Sequence, residues 1–156
     1  PSKLRATTEA TKQQFINRKI IACMELHTFS SLNENFLNEY QGAMDTADEA
    51  YVYFNPHTIA HKKLQPISIE QVKAAFARKD LMVFTSSEEL MSTLKEINFQ
   101  NTVLLMMSSG NFDGIDFKKF GEELPTERKE QARQLRFLQY RGFSSEQCWS
   151  ALKNSD

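Results

Sequence analysis

Residues 102–114 read TVLLMMSSGNFDG, and the two halves of this stretch ask for different backbone. Val103, Leu104, Leu105, Met106 and Met107 are apolar on both faces of an extended chain, which predicts a strand buried on both sides in the middle of a sheet. Ser108, Ser109, Gly110, Asn111, Phe112, Asp113 and Gly114 then break the run at once. Two glycines in that loop allow close backbone approach to a neighbouring group. Ile115, Asp116, Phe117, Lys118, Lys119 and Phe120 read as the start of a helix. Strand, small polar loop and helix start together make the ligand-binding corner of an open α/β sheet, although a plain strand-to-helix turn satisfies the same pattern. The glycine spacing is not GxGxxG, so no dinucleotide fingerprint is present.

Working outward, the same alternation repeats. Residues 3–15 are helix formers with Leu4, Thr7, Ala10 and Thr11 on one face. Ile20, Ile21, Ala22, Cys23, Met24, Glu25 and Leu26 form a buried-type strand, followed by the polar loop His27, Thr28, Phe29, Ser30, Ser31. Phe36, Leu37, Tyr40 and Met44 have helical spacing, and Ala50, Tyr51, Val52, Tyr53 and Phe54 form a third strand that Asn55, Pro56 and His57 stop. A basic connection follows, with His61, Lys62 and Lys63. Ser68 with Gln71 and Ser86 with Glu89 have capping-box spacing, each opening a helix, and residues 81–84 between them make a short strand. Helices alternating with short apolar strands predict an α/β fold with a mostly parallel, doubly wound, Rossmann-like sheet. Right-handed crossovers would line the loops after Leu26, Phe54, Phe84 and Met107 along one edge.

The composition changes after Gly121. Pro125 and Thr126 lead into a charged helix over residues 127–141, Gly142 stands at its expected end, and Ser144 with Gln147 opens a short last helix. The expected organisation is therefore an α/β domain over residues 1–121 and a helical tail over 122–156. The 156 residues suffice for one domain with a full core, and a net charge of −1 gives no global electrostatic case for nucleic acid or an anionic membrane. The two cysteines are far apart and show neither disulfide-framework nor metal-ligand spacing, no apolar run approaches the ~18 residues of a membrane span, and a reduced cytoplasmic setting is expected. A start at Pro1, without methionine, suggests a fragment or a processed chain.

On the presumed binding edge, His27, Thr28 and Ser30 offer imidazole and hydroxyls to an anionic group, or else form a turn. Asn55 and His57 would make a second wall of the same cleft, or merely stop a strand. His57 and His61 are four residues apart, but Pro56 and a loop context argue against a helical metal pair, and no HExxH or CxxC pattern occurs. The interleaved Arg and Glu residues of the tail read first as a solvated helix face.

These residues resemble the C-terminal domain of the Mur ligases, the ATP-dependent amide-forming enzymes of peptidoglycan synthesis. Residues 1–7, PSKLRAT, are similar to the end of that family's histidine-proline motif, and residues 25–32, ELHTFSSL, to its segment of histidine, threonine, aromatic and serine. Ala47, Asp48, Glu49 and Ala50 resemble its alanine-aspartate-glutamate step. Residues 108–115, SSGNFDGI, are similar to the loop of the branch that reattaches murein tripeptide to UDP-N-acetylmuramate. The resemblance covers residues 1–120 and implies a ligase domain that holds the incoming amino acid or murein peptide and closes over the nucleotide. It implies Ser108, Ser109, Gly110, Asn111, Phe112 and Asp113 on the peptide side, and His27, Thr28, Ser30, Asn55 and His57 on the nucleotide side. ATP and Mg²⁺ would be held mainly by the family's central domain, which like its UDP-sugar domain lies outside this sequence, so the isolated chain is expected to turn over no ATP. No resident metal is expected on these residues.

The tail resembles a different family. Residues 119–125, KFGEELP, and 136–143, RFLQYRGF, are similar to the last helical segment of the RecX regulators of recombinase. This resemblance implies an alternative, a non-enzymatic module whose basic tail binds a recombinase filament or DNA.

Overall fold

The structure, a computed structural model, describes residues 1–115 of the 156-residue chain. These residues form one unit, Pro1–Ile115. The expected boundary at residues 121/122, the tail helices and most of the helix read at 115–120 lie outside the described residues. Ile115 itself is not helical.

The element order is α1 (Ser2–Gln14), β1 (Lys19–Leu26), α2 (Glu34–Leu37), β2 (Glu49–Phe54), α3 (Pro56–His61), α4 (Ile69–Phe76), β3 (Met82–Phe84), α5 (Ser87–Lys95) and β4 (Thr102–Met107). The four strands are all parallel, in the order β3-β2-β1-β4. This is an α/β fold. The chain steps from β1 to β2 to β3 in one direction, then returns past both to place β4 against the other side of β1. With right-handed crossovers, that reversal puts the connecting helices on opposite faces. One face carries Ile20, Ala22, Leu26, Ala50, Val52 and Phe54, packed with Leu4, Leu37, Val72 and Phe76. The other carries Ile21, Cys23, Glu25, Tyr51 and Tyr53, and α5 lies there, its first residue Ser87 bonded to the Tyr53 hydroxyl. Cys23 is a free thiol with no exposed surface, and burial, with Glu25 adding to it, pushes it well above its usual range.

Both capping-box serines cap their helices. Ser68 Oγ accepts the Gln71 N–H at 3.1 Å and Gln71 Oε1 accepts the Ser68 N–H at 2.7 Å, a reciprocal pair that closes two orphan donors. Ser86 Oγ accepts from the Glu89 N–H.

Several expectations need correction. Among the described residues β4 is an edge strand, half-buried along its length, and β1 beside it is one of the two inner strands, buried on both faces. An apolar run reports two covered faces, not two hydrogen-bonded neighbours, so it cannot distinguish these positions. The residues after Phe54 continue as a helix rather than a loop. Asn55 Oδ1 accepts the His57 N–H at 2.8 Å, and Pro56 sits at the first helical position, where its missing N–H costs nothing. The helix read from Phe36 to Met44 is only one α-turn, α2, followed by a 3-10 turn at Asn38–Tyr40. In α1 the buried stripe is Leu4, Thr8 and Thr11, not Thr7 and Ala10. The Thr8 hydroxyl donates to the Leu4 carbonyl at 2.9 Å, so it can be buried without an orphaned donor.

Candidate functional site

In an open parallel sheet, ligands bind outside the carboxyl ends of the strands where the winding direction reverses. Here that point is the gap beyond β1 and β4. One side chain at this place was not singled out from the sequence. Glu25, the single acid in the strand KIIACMEL, is 2% exposed and sits at the end of β1. A carboxylate so buried needs donors, and it has them. Oε2 accepts the Ser108 hydroxyl and the Phe112 backbone N–H, the latter at 3.0 Å. Oε1 lies 3.4 Å from His27 Nδ1.

The loop after β4 is thus folded down onto β1. Gly110 makes this approach possible. A Cβ there would stand 2.8 Å from Glu25 Oε2 and equally close to His27 Cγ and Nδ1. The Gly110 N–H donates to Ser108 Oγ at 2.6 Å, so Ser108 bridges the loop backbone and the buried carboxylate.

Phe112 and Asp113 both adopt left-handed backbone, φ 51° and 53°, before Gly114 at 77°. For side-chain-bearing residues this costs about 1–2 kcal/mol each. What holds it is visible. The Phe112 ring is 3% exposed and stacks against Tyr53 at 6.1 Å. Asp113 Oδ2 accepts both the Tyr53 hydroxyl and the Asn55 amide N–H. Burial, reinforced by the bond to Asp113, raises the Tyr53 hydroxyl well above its usual range, so it stays a donor. Asn55 therefore caps α3 with its oxygen and holds the loop with its nitrogen.

The structure brings together His27, Asn55, Ser108, Gly110, Phe112 and Asp113, gathered around Glu25 and Tyr53. Those two residues are direct neighbours across β1 and β2. A lone acid at the C-terminal end of an otherwise apolar strand was the signal for Glu25. Ser109 and Asn111 are exposed members of the same loop. Thr28 and Ser30 are not drawn into the cluster. Thr28 Oγ1 accepts the Ser31 N–H at 3.0 Å and the Ser30 carbonyl accepts from Asn33, so this segment closes its own turn. Beside it Phe29 is 60% exposed, with Lys62 Nζ 4.4 Å over its ring. His57 and His61 stand exposed on α3.

Among the described residues no group of three or more His, Cys, Asp or Glu is arranged to hold a metal ion, and no Gly-rich loop followed by Lys is present for a triphosphate. No described helix is long and apolar enough to cross a membrane.

Two comparisons bear on the chain. Residues 118–152 match the third three-helix domain of the RecX family. Among solved structures, the chain is similar to a domain of a Haemophilus ducreyi protein assigned as a UDP-N-acetylmuramate:L-alanyl-γ-D-glutamyl-meso-diaminopimelate ligase. The identity is 23% and the TM-score 0.47, over 73% of this chain and 76% of that one.

Proposed function

We propose that residues 1–121 form the amine-substrate domain of an ATP-dependent ligase of the Mur type, which joins an amino acid or murein peptide to UDP-N-acetylmuramate. The observation that carries this reading is the convergence of three strand ends on one polar cluster at the reversal point of the sheet. Glu25 and His27 come from β1, Tyr53 and Asn55 from β2, and Ser108 to Asp113 from the loop after β4. The cluster takes Glu25 and His27 from the segment ELHTFSSL and Ser108, Gly110, Phe112 and Asp113 from SSGNFDGI, the two segments that resemble Mur ligases. It presents one exposed carboxylate, Asp113, together with the His27 imidazole and the hydroxyls of Ser108 and Ser109, a set suited to an amine and peptide, while the buried Glu25 holds the loop from behind. ATP and Mg²⁺ would be bound mainly by residues outside this chain. The chain's own residues would bind and orient the peptide and exclude water around its amine.

Calorimetric titration of murein tripeptide into the full 156-residue chain tests this. Binding that weakens in Asp113→Ala, while UDP-N-acetylmuramate alone gives no heat, is the expected result. Absence of tripeptide binding, or equal binding by both proteins, rejects it.

The match of residues 118–152 to RecX favours a second reading, in which the tail is an interaction module for a recombinase filament or DNA. That reading requires binding to either partner with steep salt dependence, lost on truncation after Glu123.

A further inference from the structure

We propose that Glu25 is a positioning residue that fixes the tautomer of His27, leaving Nε2 as the proton acceptor for the ammonium group of a bound amine. This rests on the amine-ligase reading above. Glu25 Oε2 is already engaged by the Ser108 hydroxyl and the Phe112 N–H. Among the described residues, Oε1 faces His27 Nδ1 at 3.4 Å. A carboxylate oxygen accepts only, so this approach favours a proton on Nδ1 over a lone pair pointed at the carboxylate. Neutral imidazole has one N–H, and placing it on Nδ1 leaves the lone pair on Nε2, on the far side of the ring. A buried carboxylate behind a partly exposed imidazole is the arrangement that makes histidine a directed base, because it fixes the orientation of the ring. The exposures fit, at 2% for the Glu25 side chain and 36% for His27. Gly110 completes the device. Its missing Cβ lets the loop backbone lie close against His27 Nδ1 and Glu25 Oε2, where any side chain would clash. The step moves one proton: an N–H bond of the ligand ammonium breaks, its electron pair stays on the nitrogen, and a new N–H bond forms at Nε2.

The test is ¹⁵N NMR of the full chain labelled at histidine. It contains three histidines, and the exposed His57 and His61 on α3 serve as internal controls. His27 is expected as the Nδ1–H tautomer, and Glu25→Gln is expected to move it toward the Nε2–H form that the controls show. Murein tripeptide should shift the His27 Nε2 resonance, whereas its N-acetylated form should not. An Nε2–H tautomer for wild-type His27 overturns the proposal, and this needs no variant to fold. Calorimetric binding of tripeptide that leaves Nε2 unmoved also overturns it, while leaving the ligase reading intact. No tripeptide binding at all overturns both.

Discussion

The Glu25 carboxylate accepts a hydrogen bond from the backbone N–H of Phe112, 87 positions later in the chain, at 3.0 Å. The contact is buried, so removing the acceptor deprives the Phe112 N–H and the Ser108 hydroxyl of the oxygen they share. Glu25→Ala is expected to cost about 2–3 kcal/mol. Glu25→Gln should cost less, because the amide oxygen can still accept. Urea unfolding of both variants checks the order, and equal losses would mean that the contact does not hold the loop.

Gly110→Ala places a methyl group 2.8 Å from a buried carboxylate oxygen and from the His27 ring. Neither neighbour is the free end of a flexible chain, so the loop must lift. A loss of about 1–3 kcal/mol is expected, with faster amide exchange at Phe112. Ser109→Ala, in the same exposed loop, should stay within about 0.5 kcal/mol of wild type. Unchanged Phe112 exchange in Gly110→Ala would refute the close-packed loop.

Tyr53→Phe keeps the ring that stacks on Phe112 and removes the hydroxyl that Asp113 accepts. Stability should fall by only about 1 kcal/mol, since one neutral donor is lost and no cavity forms. Tripeptide affinity should fall roughly fivefold, the equivalent of about 1 kcal/mol, because Asp113 loses one of two anchors. A large stability loss with unchanged affinity would show the hydroxyl to be purely structural.

Acid sensitivity should centre on Asp48. Burial alone would raise its carboxyl, but Lys12 Nζ at 2.6 Å and the Ile20 N–H at 2.7 Å outweigh that and hold it below its ordinary value. A carboxyl lowered by folding contributes stability above its unfolded value of about 4, and that contribution is lost as pH falls below it. Asp48→Asn should therefore be less stable than wild type at neutral pH, with the gap closing toward pH 3. A gap independent of pH would place the effect in the Ile20 hydrogen bond alone.

Much of this architecture was legible in the residues. Apolar runs of strand length separated by capped helices fixed the parallel α/β class, and Ser68 with Gln71 announced α4 outright. Position within the sheet was not legible. β4 and β1 read alike because each is apolar on both faces, and only the crossover geometry makes β1 an inner strand and β4 an edge. Pro56 misled for a related reason: a proline that ends a strand is equally at home in the first turn of a helix. In the candidate site, the loop residues were visible through their glycines and polar side chains. Glu25 and Tyr53 were hidden inside strands, where a single polar residue becomes meaningful only once the register sets it beside its partners.

Cys23 lies in the same strand as Glu25, two residues earlier on the same face, with no exposed surface. Its thiol is kept protonated and out of reach of water, so an alkylating reagent can attack it only after the layer packed over that face of the sheet has lifted. The molecule thus carries its own clock for the uncovering of that face. Residue-resolved alkylation, which distinguishes Cys23 from Cys148, times that event in the unmodified chain without dye, denaturant or mutation.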